Sequence, residues 1–280
     1  MDRFLTPHAD GRPQVMGVVN VTPDSFSDGG RFVETDAACD HALALLNAGA
    51  DWLDIGGEST RPGAEPVSEA DELARVIPVI EAIRGARPEA RLSIDTMKPG
   101  VARAAVRAGA AMWNDVNALR ADGARAAAAE LDCLVCLMHM QGEPRTMQAD
   151  PHYQDVVTDV ARMLGQQVGA VLSAGVARER VLIDPGIGFG KTLAHNLALM
   201  ACLDHLTGLG FPVLFGASRK RFIQGVDESA VEASDRLGGS LAAALHAARA
   251  GCAIVRVHDV RETVQALKVQ AAIAQAGGIA

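Results

Sequence analysis

Aromatic residues are scarce in this sequence: two Trp, one Tyr and seven Phe make up 4% of 280 residues. With 28 Gly and an alanine-rich body, that shortage argues against an aromatic-filled sandwich and for small-residue α/β packing. Positive charge is also short. Lys and Arg number 26 against 34 Asp and Glu, a net charge of −8, which excludes nucleic-acid binding by bulk electrostatics. Disorder is excluded too, because 49% of the residues are hydrophobic. No run approaches the roughly 18 apolar residues of a membrane span. The stretch Met1–Gln14 has no apolar core of signal-peptide length, so a soluble cytoplasmic protein is expected. Five Cys form no disulfide framework. Cys133 and Cys136 make a C-x-x-C, but inside LDCLVCLM, which reads as a buried strand. An offset of three there sends the thiols to opposite faces, so buried reduced thiols are expected.

What the sequence does have is alternation. Short apolar runs fall at Gln14–Asn20, Trp52–Ile55, Leu92–Asp95, Met112–Val116, Cys133–Met138, Val181–Asp184, Pro212–Gly216 and Ala253–His258. Helical patterns lie between them, at Thr35–Asn47, Ser68–Ile83, Gly100–Ala108, Gly123–Glu130, Val156–Ser173, Thr192–Leu206, Glu232–Ala250 and from Val260 onward. Ser68 followed by Glu69 and Asp71 is a helix start, and Gly49, Gly109, Gly175 and Gly251 are helix stops. Eight β–α units predict a single-domain (β/α)8 TIM barrel spanning 1–280; a doubly wound open sheet has the same local pattern. The connections at about 21–34, 58–68 and 141–155 are long, as mobile binding loops are.

On a strand, residues i and i+2 share a face. Reading each run back from its C-terminal end gives an inward apolar or small residue, then a polar one a layer higher. Asn20, Asp54, Asp95, Asn114, Asp184, Arg256 and His258 occupy those upper positions, with Lys220 just beyond the seventh run. An Asp after a strand also caps helices, and Asp95-Thr-Met-Lys-Pro suits that role. Seven polar strand ends in succession exceed what capping explains. A barrel builds its active site at that rim. The acids and Asn suit a heterocycle rich in N–H groups; Arg256, His258 and Lys220 provide cationic donors for an anion such as phosphate.

Two tempting motifs fail. In the run Asp184–Thr192 a P-loop needs Gly at 185, which is Pro185, and a dinucleotide fingerprint needs Gly at 191, which is Lys191. The run reads instead as a glycine-rich strand-to-helix turn that lets a ligand approach the backbone closely. His139 has no second His at ligand spacing, and reads as a satisfied strand-end histidine more readily than as a metal ligand or base. The apolar face Val264–Ile273 reads as core or dimer packing.

Longer motifs carry a resemblance. The stretches 17–30, GVVNVTPDSFSDGG, and 54–64, DIGGESTRPGA, resemble the first two signatures of the dihydropteroate synthases, a pterin-binding family. Ser93–Thr96, Met138–Gly142, Asp184–Gly190, Ser218–Lys220 and Arg256–Asp259 continue the family's motifs in order. Trp113, Asn117-Ala118 and Gln224 depart from the family pattern, away from any residue given a role here.

The resemblance implies a transferase of folate biosynthesis on a TIM barrel. It would condense 6-hydroxymethyl-7,8-dihydropterin diphosphate with 4-aminobenzoate, giving 7,8-dihydropteroate and diphosphate. It further implies Mg²⁺, a homodimer, sulfonamide inhibition, and small-molecule substrates as partners, with no nucleic acid and no membrane. By family position, Asp95, Asn114, Val116, Met138, Asp184, Phe189, Gly216 and Lys220 surround the pterin. Asn20, Arg256 and His258 take the diphosphate, with Asn20 as metal ligand. Phe26, Thr60, Arg61, Pro62 and Ser218 face the aminobenzoate. Asp95, Lys220, Arg256 and His258 are the implied catalytic set, acting by ionisation of the pterin C–O bond and closure of the two long loops. A methyltransferase acting on methyltetrahydrofolate, or a non-catalytic pterin-binding paralogue, shares the pterin acids. The Arg256-Val-His258 run and the Asn20–Phe26 stretch favour the synthase.

Overall fold

The computed structural model describes residues 5–21, 31–60 and 63–277, with residues 31–34 as backbone only. The eight strands are β1 (Gln14–Asn20), β2 (Trp52–Gly56), β3 (Leu92–Asp95), β4 (Met112–Asp115), β5 (Leu134–Met138), β6 (Val181–Asp184), β7 (Leu214–Phe215) and β8 (Ile254–Val257). The helices between and after them are α1 (Arg31–Asn47), α2 (Glu69–Ala86), α3 (Pro99–Ala108), α4 (Ala124–Glu130), α5 (Val156–Ser173), α6 (Leu193–Ala201), α7 (Leu203–Thr207), α8 (Phe222–Val226), α9 (Leu237–Arg249) and α10 (Val260–Ala276). Among the described residues, no helix is long and apolar enough to cross a membrane.

Neighbouring strands are all parallel, in the order β6-β5-β4-β3-β2-β1-β8-β7. A bridge between Ile183 and Val213 joins the two ends, and Ile183 N–H donates to Pro212 O at 3.0 Å. The sheet is thus a nearly closed (β/α)8 barrel, not the open alternative.

Strand alternation splits the core in two. Met16, Trp52, Met112, Leu134, Cys136, Leu182, Leu214 and Ile254 fill the barrel interior, with Leu5 packed among them. The alternate strand residues, such as Val15, Leu53, Ile94, Trp113, Val135 and Ile183, meet the helices outside. Cys133 belongs to the outer layer and Cys136 to the inner one. Burial pushes the Cys133 thiol up to about 11 and Cys136 well above its usual value, so neither is a thiolate at neutral pH.

Local chemistry explains most boundaries. Ser68 Oγ caps α2 by accepting from Asp71 N–H at 3.1 Å. Gly49, Gly109, Gly175 and Gly251 adopt positive φ after their helices. Several expected strands end a residue or two short, and three expected spans are cut back further or broken. The seventh run forms a ladder only at Leu214–Phe215; Pro212 has no N–H to give one, although its carbonyl is used. The pattern over 192–206 breaks at Cys202, whose φ of −114° and ψ of 31° are not helical. The pattern over 232–250 begins as a 3₁₀ turn, Ala233–Arg236, before α9.

Candidate active site

A cleft opens at the C-terminal rim of the barrel. Its lining gathers Asp95 from β3, Asn114 from β4, Met138 from β5, Asp184 from β6 and Arg256 from β8, with Thr60, Val116, Phe189, Gly216 and Lys220 from the turns just above. All eight residues expected around a pterin ring are in that lining, together with Thr60 and Arg256.

The register explains the convergence. Asn20 pairs with Gly56, Gly56 with Asp95, and Asp95 with Asn114, so the ends of four consecutive strands stand at one level. Asp95 does not cap α3, whose N-cap is Lys98 without a side-chain bond. It accepts instead from Arg256 Nη2 at 2.9 Å.

Asp54 lies deeper than the rim position expected for it. It is fully buried, accepts from Arg256 Nε at 2.5 Å and from Asn114 Nδ2 at 3.0 Å, and is absent from the cleft lining. Its Oδ1 has no hydrogen-bond partner. Arg256 thus sits between two carboxylates. Burial pushes Asp95 up, with Asp54 adding to it and Arg256 opposing. Arg256 is itself raised, because Asp54 and Asp95 outweigh its desolvation.

A second wall carries Asp184, Phe189 and Lys220. Asp184 Oδ1 accepts from Gly186 N–H at 2.6 Å, and burial raises its pKa. Lys220 Nζ donates to Ile187 O and stands 4.6 Å from the Phe189 ring centroid. Burial, reinforced by Arg256, lowers Lys220 to about 8 against the pull of Asp184.

The glycines of this turn serve the protein's own backbone more than a ligand's approach. A Cβ on Gly186 would lie 1.9 Å from His139 O, and one on Gly190 2.5 Å from Gln141 O. The turn is pinned from below by Lys191, which sequence motifs had not singled out for any role. Its buried Nζ donates to Gly186 O and Phe189 O at 3.0 Å each and to His139 Nδ1 at 2.9 Å. His139 is thus an internal acceptor, lowered to about 3 by burial and by Lys191.

The remaining expected residues lie beside the cleft or outside the described chain. His258 N–H donates to Ser218 Oγ at 3.2 Å, and His258 Nδ1 lies 3.1 Å from the same oxygen. Burial, with Arg256 and Arg219 nearby, lowers His258 to about 3. It is therefore neutral at neutral pH, not the cation expected; Lys220 and Arg256 carry the charge. Ser218 lines a small hollow beside Arg256. Asn20 is exposed at the end of β1. Phe26, Arg61 and Pro62 fall outside the described residues, as does most of the first long connection.

Sequence reading also gave no role to Asp115. Its carboxylate accepts from Asn117 N–H at 2.7 Å and Leu119 N–H at 2.9 Å. That fixes a turn in which Ala118 and Leu119 hold φ of 52° and 54°, a region costly for non-glycine residues. Val116, which lines the cleft, sits at its start.

Such a cleft offers carboxylates and an amide for an N–H-rich ring, apolar faces for stacking, and two half-buried cations for an anion. The chain matches the pterin binding enzyme family over residues 16–258. It is 51% identical over 257 residues to a dihydropteroate synthase of Escherichia coli strain K12, covering 92% of this chain and 90% of the relative. It is similar to a Xanthomonas albilineans dihydropteroate synthase solved with 4-aminobenzoic acid: TM-score 0.88, 53% identity, 94% and 93% of the two chains covered. A structure of that organism's enzyme with 7,8-dihydropteroate superposes at TM-score 0.82 with 47% identity, covering 95% and 94%. The chain therefore belongs to the pterin-binding enzymes and, among them, to the dihydropteroate synthases, which are transferases.

Proposed function

We propose that this cleft joins 6-hydroxymethyl-7,8-dihydropterin diphosphate to 4-aminobenzoate, releasing diphosphate and 7,8-dihydropteroate. The observation that carries the reading is the co-location of Asp95, Asn114, Asp184, Lys220 and Arg256 in one lining. The whole chain, 1–280, serves as one barrel domain for this reaction.

Asp184 and Asn114 meet the hydrogen-bonding edge of the pterin, Lys220 donates to a ring acceptor, and Val116, Met138, Phe189 and Gly216 enclose its faces. The diphosphate extends toward Arg256, His258 and Asn20. Arg256 offers a planar donor fork to the phosphate oxygens. His258, neutral in the free protein, gives a hydrogen bond and gains basicity when the anion arrives. The exocyclic C–O bond then breaks with its electron pair leaving on diphosphate, whose growing charge Arg256 stabilises. The cation left on the pterin methylene is delocalised into the ring, beside the Asp95 carboxylate. The arylamine nitrogen attacks that carbon, and its surplus proton passes to solvent. Thr60 and Ser218, with Phe26, Arg61 and Pro62, hold the arylamine, and a sulfonamide competes for the same place.

The donor set fits magnesium. Asn20 presents an exposed amide oxygen, a hard donor, at the rim. Among the described residues no cluster of three His, Cys, Asp or Glu could hold a metal, so the ion would rely on substrate oxygens and water, as magnesium commonly does. When bound it would supply charge compensation for the diphosphate. We infer in addition a cytoplasmic location and a homodimer, the latter supported by Val269 and Ile273, which stand exposed on α10 beyond the buried Val264 and Leu267.

Titration calorimetry tests the assignment of the cleft. Binding of the pterin diphosphate should weaken by at least about tenfold in Asp184→Asn, the loss of one charged hydrogen bond. Unchanged affinity there would remove the pterin from this cleft.

A further inference from the structure

A half-buried charge cluster outside the cleft ties the β2–α2 connection to the turn that follows β3. Glu58 stands at one foot of that connection and Val67 at the other. Glu58 Oε1 accepts from Val67 N–H at 3.0 Å, so one carboxylate clasps both feet. Its Oε2 accepts from Lys98 Nζ at 2.6 Å. The same ammonium donates to Glu72 Oε2 of α2 at 2.5 Å. Glu72 is fully buried and its Oε1 has no partner, so Lys98 is its one described counterion. Arg75 Nη1 adds a bond to Gly57 O at 2.8 Å, just before the clasp.

The other end of Lys98 is fixed to the cleft. Its backbone N–H donates to Thr96 Oγ1 at 3.1 Å, and Thr96 N–H donates to Asn114 O at 3.1 Å. Trp113 Nε1 donates to Thr96 O at 2.8 Å. A short, fully bonded path thus runs from Asn114 and Asp95, which line the cleft, to the feet of the connection carrying Thr60, which also lines it.

We propose that Lys98 is a positioning residue for the arylamine: through Glu58 it clasps the 58–67 connection and sets Thr60 in register with the strand ends that hold the pterin. This rests on the reading that Thr60 faces the arylamine. Lys98 touches neither substrate. It acts by holding Thr60 in place before the arylamine arrives, so its loss weakens arylamine binding by the ordering that a preorganised site avoids. A lysine suits the task, because one compact ammonium with three donors can bridge two carboxylates on different elements.

The test is steady-state kinetics with each substrate varied in turn, on Lys98→Met, Lys98→Arg, Glu58→Gln and Thr60→Ala. Lys98→Met should raise KM for 4-aminobenzoate by about tenfold or more and move KM for the pterin diphosphate by less than about twofold. Glu58→Gln, which keeps the acceptor for Val67 N–H but loses the charge that holds Lys98, should shift KM the same way by less. Lys98→Arg should recover most of the loss. If Lys98→Met does not fold, as a circular-dichroism melt would reveal, Glu58→Gln carries the prediction alone. Equal rises in both KM values, or a fall in kcat alone, would overturn the proposal as general damage. If Thr60→Ala raises KM for the arylamine while the Lys98 and Glu58 variants do not, the clasp is wrong and the Thr60 reading stands. If none of the variants moves it, the Thr60 reading falls and the proposal with it.

Discussion

Arg256 Nε donates to Asp54 Oδ2 at 2.5 Å, a bond between residues 202 positions apart. The barrel makes this possible by placing β8 beside β1 and β1 beside β2. The same guanidinium donates through Nη2 to Asp95 at the rim. One arginine therefore links the buried floor of the cleft to its reactive edge and holds two carboxylates that would otherwise repel.

Replacing Arg256 with Ala should act twice. Loss of the charged donor beside the leaving group should lower kcat/KM for the pterin diphosphate by about 10²–10³-fold. Removing the cation also strands two buried or half-buried carboxylates, which should cost about 3–5 kcal/mol of unfolding free energy in a urea titration. Arg256→Lys keeps a charge without the planar fork and should fall between. A variant with normal kcat/KM would contradict the assigned role.

Lys220 predicts the alkaline limb of activity. Held near 8 by burial and by Arg256, it is protonated at neutral pH and loses its charge as pH rises through that value. The profile of kcat/KM for the pterin diphosphate, which reports the free protein, should decline above about pH 8. Stability should move the other way over about pH 8–10.5, because the unfolded lysine still binds a proton that the folded one has lost. Lys220→Met should abolish both trends.

His139 predicts acid sensitivity. Its folded pKa of about 3 lies below the unfolded value near 6.5, so the unfolded chain takes up a proton first as pH falls. The stability this neutral histidine preserves is intact above about 6.5 and lost toward 3. One such group contributes a slope of at most about 1.4 kcal/mol per pH unit in that window. Buried Asp115, raised to about 6, has the opposite slope, so the comparison must be between proteins. His139→Gln, which keeps an acceptor for Lys191, should lose stability less steeply on acidification than the unmodified chain. Identical slopes by thermal melting would place the proton elsewhere.

Much of the barrel was legible because strand periodicity is strict. Once Trp52 faces inward, so does Asp54, and the same parity sends Asn114, Asp184 and Arg256 to the interior. Depth was not legible. How far Asp54 sits below Asp95 depends on the stagger between neighbouring strands, a property of pairing rather than of either segment. The charge of His258 was missed for a related reason: a histidine two residues after an arginine reads as a basic pair until burial makes one proton too costly. Lys98 received no role from the sequence, because its two carboxylate partners come from segments 40 and 26 residues away. Phe26, Arg61 and Pro62, named by resemblance, lie outside the described residues and rest on that resemblance alone.

The purified chain, with 6-hydroxymethyl-7,8-dihydropterin diphosphate, 4-aminobenzoate and magnesium, should form 7,8-dihydropteroate and diphosphate in equal amounts, followed by mass spectrometry. Formation should be suppressed by a sulfonamide in competition with 4-aminobenzoate. Tight pterin binding with no dihydropteroate, under conditions where the Escherichia coli relative makes it, would contradict the account and leave a protein that binds pterins without joining them.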